Sequence, residues 1–394
     1  MITVVGIGAD GMAGLSAASR AELARATVIW GAPRQLELLD AGVTADRREW
    51  PSPLLPSLPT LFDEAGGESD VHVVASGDPL LHGIGGTLIR LFGADRVRIL
   101  PQVSSVQLAC ARLGWTVPDT EVISLVTASP HTAVRRGGRA IVLSRDSSTP
   151  GILARLLTES GRGDSELTVL EQLGGPAEQR RDGTAQDWAA GGPSGVDDLN
   201  VVAVQYLPDE RRAHALPDES FSHDGQLTKQ SIRAVTLAAL GPRPGERLWD
   251  VGSGSGSIAI EWCRSAPGAT AVAFERDEQR RTRIMSNVTA FGVRVDLRGA
   301  APEALQGAPE PAAIFIGGGV TRPGLLDACL DRLPAGGRLV VNAVTVESEV
   351  VVLQGYSKMG GELRRFQHYQ GGAVGGFTGW RPALPVTQWS VVKR

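Results

Sequence analysis

The sequence predicts an α/β protein built in two halves, and three observations carry that expectation. Short β-branched runs alternate with longer amphipathic segments along the chain, the pattern of βα units on largely parallel sheets. Two glycine-rich turns follow apolar strands, "ITVVGIGADGMAG" at the N-terminus and "LWDVGSGSGSIAIEW" at residues 248–262. Between the halves lies "PDERRAHALPDESF", residues 208–221, a polar stretch with two prolines and no apolar period, which suits a linker.

The first half divides into two lobes, about residues 1–117 and 118–207. In the first, the strands "ITVVGIG", "TVIWGA" and "VHVVASG" alternate with the amphipathic segments "LSAASRAELARA" and "SSVQLACARLG". The second continues with "EVISLV", "RAIVLS", the helical "PGILARLLTESG", then "ELTVLEQLG" and "LNVVAVQYLP". The second half, residues 222–394, opens on a helix at "TKQSIRAVTLAALG". Its strands follow at "ERLWDVG", "TAVAFE", "RVDLRGA", "AAIFIGG" and "GRLVVNAVTV", with a terminal strand in "SVVKR".

With 394 residues, 42% hydrophobic and 21% charged, the composition is that of a soluble globular protein of two or three domains. No apolar run approaches the roughly 18 residues of a membrane span, and the N-terminus lacks signal-peptide features, so no membrane partner and a cytoplasmic location are expected. Cys110, Cys263 and Cys329 stand apart from one another and from histidine, which argues for buried thiols and against a disulfide framework or a metal site. A net charge of -4 is unlike the basic face that nucleic acid requires. Lys229, Lys358 and Lys393 are the only lysines, so arginine clusters such as Arg135, Arg136 and Arg139 read first as a solvated face, although a polycarboxylate ligand would want them.

The turn in the second half is the more specific of the two. An apolar strand ends at Asp250 and runs into Gly252, Ser253, Gly254, Ser255 and Gly256 before the helical "SIAIEW". A dinucleotide fold needs G-x-G-x-x-G, whereas here the third glycine falls one residue early; a phosphate loop needs a lysine that does not follow. The remaining class is S-adenosylmethionine binding. Its ribose hydroxyls want an acidic residue at the tip of the next strand, and "TAVAFERD" supplies Glu275 there. Backbone near Ala300 and Ala301 would meet the adenine, and the turn from Gly317 to Gly319 would border the substrate cleft. The plain alternative is a tight βα turn beside a surface glutamate.

The N-terminal turn gains meaning from two later segments. "VVASGDPLLHGIGGTL" runs a strand into Gly77, Asp78 and Pro79, and "LPQVSSVQLACARLGW" carries Ser104 and Ser105. In this order the segments resemble the tetrapyrrole methylase family over about residues 1–207. The resemblance implies two α/β lobes that enclose folded S-adenosylmethionine, with a porphyrinoid in the cleft. It also implies that Gly6 and Gly8 line that cleft, that Gly77, Asp78 and Pro79 form its central loop, and that Ser104 and Ser105 border the cofactor. One departure is "SLVTASPHTA", where many members carry a histidine-glycine-arginine segment.

The second half, with "HDGQLTKQSIRA", "APEAL", "IFIGGG" and "GGRLVVNAVTVES", resembles the cobalamin-pathway methyltransferase domain that decarboxylates precorrin. That implies a Rossmann-like class I methyltransferase fold, with Thr228, the turn from Gly252 to Gly256, Glu275 and Ala301 lining its cofactor site. Ala300 departs from the aspartate that relatives often carry. Together the halves imply two S-adenosylmethionine sites and one precorrin substrate; the alternatives are a class I methyltransferase on another substrate such as RNA, which leaves the first half unexplained, and a tetrapyrrole-binding carrier, against which the intact glycines and Glu275 speak. Precorrin-6B would be methylated at C5 by the first half, then methylated at C15 and decarboxylated at the C12 acetate by the second, giving precorrin-8X. Methyl transfer from a sulfonium is an in-line displacement that asks for alignment and water exclusion rather than a nucleophile or metal. Decarboxylation needs a group to handle a proton or hold the carboxylate, and Glu347 and Asn342, near "LVVNAVTVESE", are the candidates. A homo-oligomer is expected.

Overall fold

The computed structural model describes residues 1–63, 71–192, 194–211 and 214–394. The chain forms two compact units, Met1–Arg155 with Gly163–Leu207, and Leu156–Arg162 with Pro208–Arg394.

The first unit holds two five-stranded sheets. One is built from β1 (Ile2–Ile7), β2 (Val28–Gly31), β3 (Asp46–Glu49), β4 (Val71–Ser76) and β5 (Val97–Leu100), in the order β3-β2-β4-β1-β5, and every pair is parallel. All six residues of β1 are buried. Val5 and Ile7 join one apolar cluster while Ile2 and Val4 join another, as a strand covered on both faces requires.

The second sheet contains β6 (Glu121–Ser124), β7 (Arg139–Leu143), β8 (Glu166–Glu171), β9 (Gln179–Thr184) and β10 (Asn200–Gln205), ordered β6-β7-β10-β8-β9. Only β6 and β7 are parallel; β10 runs against β7 and β8, and β9 against β8. This sheet therefore departs from the largely parallel pattern expected. The short return from β8 to β9 leaves no room for the helical crossover that parallel pairing needs.

In the second unit the strands are β11 (Arg247–Val251), β12 (Thr270–Phe274), β13 (Val295–Arg298), β14 (Ala313–Ile316), β15 (Arg338–Ala343), β16 (Glu362–Phe366), a separate hairpin of β17 (Tyr369–Val374) and β18 (Phe377–Pro382), and β19 (Val386–Val392). The seven-stranded sheet has the order β13-β12-β11-β14-β15-β19-β16, parallel from β13 to β15 and antiparallel beyond. The build direction reverses between β11 and β14, and open α/β sheets bind ligands outside the strand ends at such a point.

The described residues of 208–221 are anchored more firmly than their polar composition implies. Leu216 and Phe221 are buried in the core of the second unit, and the Phe221 and Phe291 rings lie 5.3 Å apart. The fully buried Glu261 carboxylate accepts hydrogen bonds from the Ala215 N–H at 2.7 Å, the Leu216 N–H at 3.0 Å and Arg233 Nε at 2.7 Å. A buried ion pair of this kind is held by its additional hydrogen bonds, and losing one partner strands the other charge.

Cys110 and Cys329 are buried, and burial pushes the Cys329 thiol up to about 12. Cys263 corrects the expectation of three buried thiols: it is only partly covered, with its Sγ 3.5 Å from the Arg294 carbonyl oxygen. Among the described residues no helix is long and apolar enough to cross a membrane.

Candidate functional site

Each unit carries a cavity at the ends of its strands. In the second unit the cavity measures about 800 Å³ and begins where β11 ends. Asp250, the penultimate residue of β11, is 1% exposed and lies behind the lining. Its Oδ2 accepts from Ser253 Oγ at 2.7 Å and from the Ala259 N–H at 3.2 Å, tying the turn to the first turn of the helix Ser257–Ser265. Burial pushes this carboxyl up to about 6, and the charge of Glu275 adds to the push. Asp250 thus shapes the turn from below rather than lining the cavity.

Gly252, Ser253 and Gly254 line the cavity. Gly252 has φ +71°, and a Cβ there would stand 2.7 Å from the Gly318 carbonyl oxygen, so only glycine lets the turn after β11 meet the turn after β14. The Gly317 N–H donates to the Val251 carbonyl at 2.9 Å and locks that approach. Ser255 and Gly256 fall outside the lining. They serve packing: the Ser255 carbonyl accepts from Asn287 Nδ2 at 3.0 Å, and a Cβ on Gly256 would press Ile284 at 3.1 Å.

Glu275 follows β12 and is 4% exposed, yet its carboxylate reaches the cavity. Oε2 accepts from the Gly254 N–H at 2.9 Å and Oε1 from the Asp277 N–H at 3.0 Å. Each oxygen keeps a lone pair for a further donor, so the group fits a vicinal diol such as a ribose. Thr228, Ala300, Ala301 and Gly317 also line the cavity, as does Asn342.

The Asn342 amide is held on two sides. Its Nδ2 donates to Thr236 Oγ1 at 2.9 Å, and its Oδ1 accepts from Gln388 Nε2 at 2.9 Å. Glu347 is not brought to the same place. It is exposed in the first turn of the helix Val346–Met359 and does not line the cavity; an acidic residue there complements the helix dipole. Four cations that the sequence did not single out do line it: Lys229, Arg276, Arg280 and Arg322. Arg280 Nε is 2.8 Å from Asp224 Oδ2, and Arg322 donates to the Ala301 carbonyl at 2.5 Å. His368 is a further lining residue that no motif in the sequence marks.

The first unit has a smaller cavity of about 370 Å³, lined from both of its sheets. Gly8, Gly77, Asp78, Ser104 and Ser105 all line it. Gly6 and Pro79 do not. A Cβ on Gly6 would sit 2.0 Å from the Gly77 carbonyl oxygen and 2.8 Å from the Gln102 nitrogen, so Gly6 permits three chain segments to meet beneath the cavity. Pro79 builds its own loop: its carbonyl accepts from the Gly85 N–H at 3.0 Å.

Asp78 Oδ1 accepts from the Leu80 N–H at 2.9 Å, which closes a local turn. Ser104 caps the helix Ser105–Leu113 by accepting from the Gln107 N–H, and Gln107 Oε1 accepts from the Ser104 N–H in return. That leaves the positive end of the helix beside the cavity. Arg34, Gln35, Ser76, His82, Ser144 and Asn200 complete the polar lining, and none was predicted. His82 has φ +54°, a conformation uncommon outside glycine, and it offers a geometric signal that the sequence does not contain.

Comparison with known proteins agrees with this division. Residues 1–189 match the family model of the tetrapyrrole (corrin/porphyrin) methylases, and residues 219–393 match that of the precorrin methyltransferase domain. A precorrin-6Y C(5,15)-methyltransferase [decarboxylating] of Mycobacterium tuberculosis is 70% identical over 394 residues, covering 100% of each chain. A Sinorhizobium protein of the same name is 44% identical over 405 residues, covering 100% of this chain and 96% of its own. A probable cobalt-precorrin-6B C(15)-methyltransferase (decarboxylating) of Pyrobaculum calidifontis is 34% identical over 152 residues, covering 37% of this chain and 77% of its own. With a family match in each half and 70% identity along the whole length, the chain belongs to the family of decarboxylating precorrin-6Y C5,15-methyltransferases, which are S-adenosylmethionine-dependent enzymes.

Proposed function

We propose that this chain methylates precorrin-6B at C5 and C15 and decarboxylates its C12 acetate, giving precorrin-8X in cobalamin biosynthesis. The N-terminal cavity serves C5, and the C-terminal cavity serves C15 and the decarboxylation. The observation that carries the reading is the presence of two separate cavities, each with a glycine turn at buried parallel strand ends but with unlike walls. The Pyrobaculum relative supports the division, since a protein matching only 37% of this chain is named for C15 methylation and decarboxylation alone.

S-adenosylmethionine supplies a methyl group made electrophilic by its sulfonium. In the C-terminal cavity, Gly252, Ser253 and Gly254 offer close backbone contact, Glu275 accepts from the ribose hydroxyls, and the chain at Ala300 and Ala301 borders the adenine. Lys229, Arg276, Arg280 and Arg322 hold carboxylates of the precorrin, for which arginine forks are suited. Asn342, fixed by Thr236 and Gln388, presents an amide at the substrate side. In the N-terminal cavity Gly8, Gly77, Asp78, Ser104 and Ser105 make the cofactor cradle. Well-aligned reactants can gain up to about 7–11 kcal/mol in bimolecular chemistry, so a methyl transfer can rest on orientation without a nucleophilic side chain. The reading takes two cofactor sites per chain, precorrin as the partner, and a cytoplasmic enzyme working as a homo-oligomer.

Incubating the purified chain with precorrin-6B and methyl-labelled S-adenosylmethionine tests it. Two labelled methyl groups per tetrapyrrole and one released carbon dioxide are expected. One methyl group, or two without carbon dioxide, would sink the reading.

A further inference from the structure

We propose that His368 delivers the proton that replaces the lost carboxylate when the C12 acetate is decarboxylated. The inference rests on the reading that the C-terminal cavity performs this step. His368 lies between β16 and β17, where the sheet gives way to the hairpin. Its carbonyl accepts from the Ala383 N–H at 2.9 Å, which ties the two ends of the hairpin together at the edge of the cavity.

Three features single it out. Among the described residues that line the cavity it is the one imidazole. Of the other ionisable groups there, Glu275 already accepts two main-chain hydrogen bonds, and Lys229, Arg280 and Arg322 are paired with Asp218, Asp224 and Glu303. Neither ring nitrogen of His368 has a hydrogen-bond partner among the described residues, and Nδ1 is buried without one. An imidazole whose second nitrogen is not committed can carry its proton on either side, which suits a shuttle.

In the step, the bond between the acetate methylene and its carboxylate carbon breaks and carbon dioxide leaves. The electron pair of that bond stays on the methylene carbon, spread into the macrocycle. The N–H bond of the imidazolium breaks, its electron pair returns to the nitrogen, and the proton forms the third C–H bond of the new methyl group. A carboxylate and an imidazolium become carbon dioxide and a neutral imidazole, which regains its proton from water.

His368→Gln and His368→Ala test the assignment. Both should bind S-adenosylhomocysteine as the unsubstituted chain does and should still methylate C5. Formation of the decarboxylated product should fall by about 10²-fold or more, the range for loss of a general acid, and added imidazole should restore turnover to His368→Ala. Turnover of His368→Gln at the unsubstituted rate overturns the assignment, as does a His368→Ala variant that imidazole fails to rescue. An unsubstituted chain that releases no carbon dioxide overturns the functional reading itself, and the assignment with it.

Discussion

In the C-terminal unit the first glycine of the G-x-G turn follows its strand and faces the cavity, while in the N-terminal unit the first, Gly6, lies within β1 beneath the cavity and the second, Gly8, lines it. Gly252 lines about 800 Å³ of space, and its missing side chain lets one turn of a single sheet reach the next. Gly6 lies outside the 370 Å³ cavity and instead lets Gly77 and Gln102 close in from separate loops. The first cavity is assembled by one sheet at its reversal point, with Glu275 as a fixed carboxylate. The second is assembled by two sheets and has no comparable buried acidic residue among its described lining residues. Similar local sequence therefore serves unlike sites, and what separates them is the number of distant segments needed to finish each one.

Variants that act on one unit alone can break or sharpen this contrast. The largest effect is expected from Glu261→Ala, which leaves fully buried Arg233 without its nearest carboxylate. It should lower the stability of the C-terminal unit by about 3–5 kcal/mol, read as a fall in one calorimetric transition while the other stays in place. A shift of both transitions would show that the units do not melt separately.

Asp250→Asn should act through pH. The Asp250 carboxyl is held at about 6, above its ordinary 3.8, so between these values the folded state binds more protons than the unfolded state. Its contribution is full below the lower value and is lost as pH rises through the upper one, a span worth about 3 kcal/mol. The unsubstituted C-terminal unit should lose stability relative to Asp250→Asn between pH 4 and about 6.5. Melting curves with no such slope would remove the burial argument for Asp250.

Glu275→Gln comes next. Removing the charge that is to meet a ribose should weaken S-adenosylhomocysteine at the C-terminal site by about 1.5–3 kcal/mol, or roughly 10- to 100-fold, with no change at the N-terminal site. The smallest effect is at Ser104→Ala, where loss of the helix cap should destabilise the N-terminal unit by about 1 kcal/mol in thermal melts. An unchanged melt would assign Ser104 to ligand contact alone.

How much of this was legible in the sequence depends on the same contrast. β1, β4, β11, β12 and β14 are apolar runs buried on both faces, so their own residues announce them. β3 and β9 are polar edge strands, "DRRE" and "QRRDGT", and nothing in such a run demands a sheet. The exposed, glycine-rich hairpin of β17 and β18 is silent in the sequence for the same reason. Glu275 was found because the distance from glycine turn to strand tip is a local quantity. Arg322, His368 and Asn200 were missed because tertiary structure alone brings them to a cavity. Glu347 shows the converse: it is near Asn342 in sequence, but the chain passes from strand to helix between them and turns it to solvent.

The proposed division of labour requires two independent sites for the methyl donor in one chain. Calorimetric titration of the full chain with S-adenosylhomocysteine tests it most directly, performed beside the same titration of Glu275→Ala. Two molecules should bind per chain, and one per chain in the variant, at the affinity of the N-terminal site. A single site in the unsubstituted chain, or loss of both sites in Glu275→Ala, would contradict it.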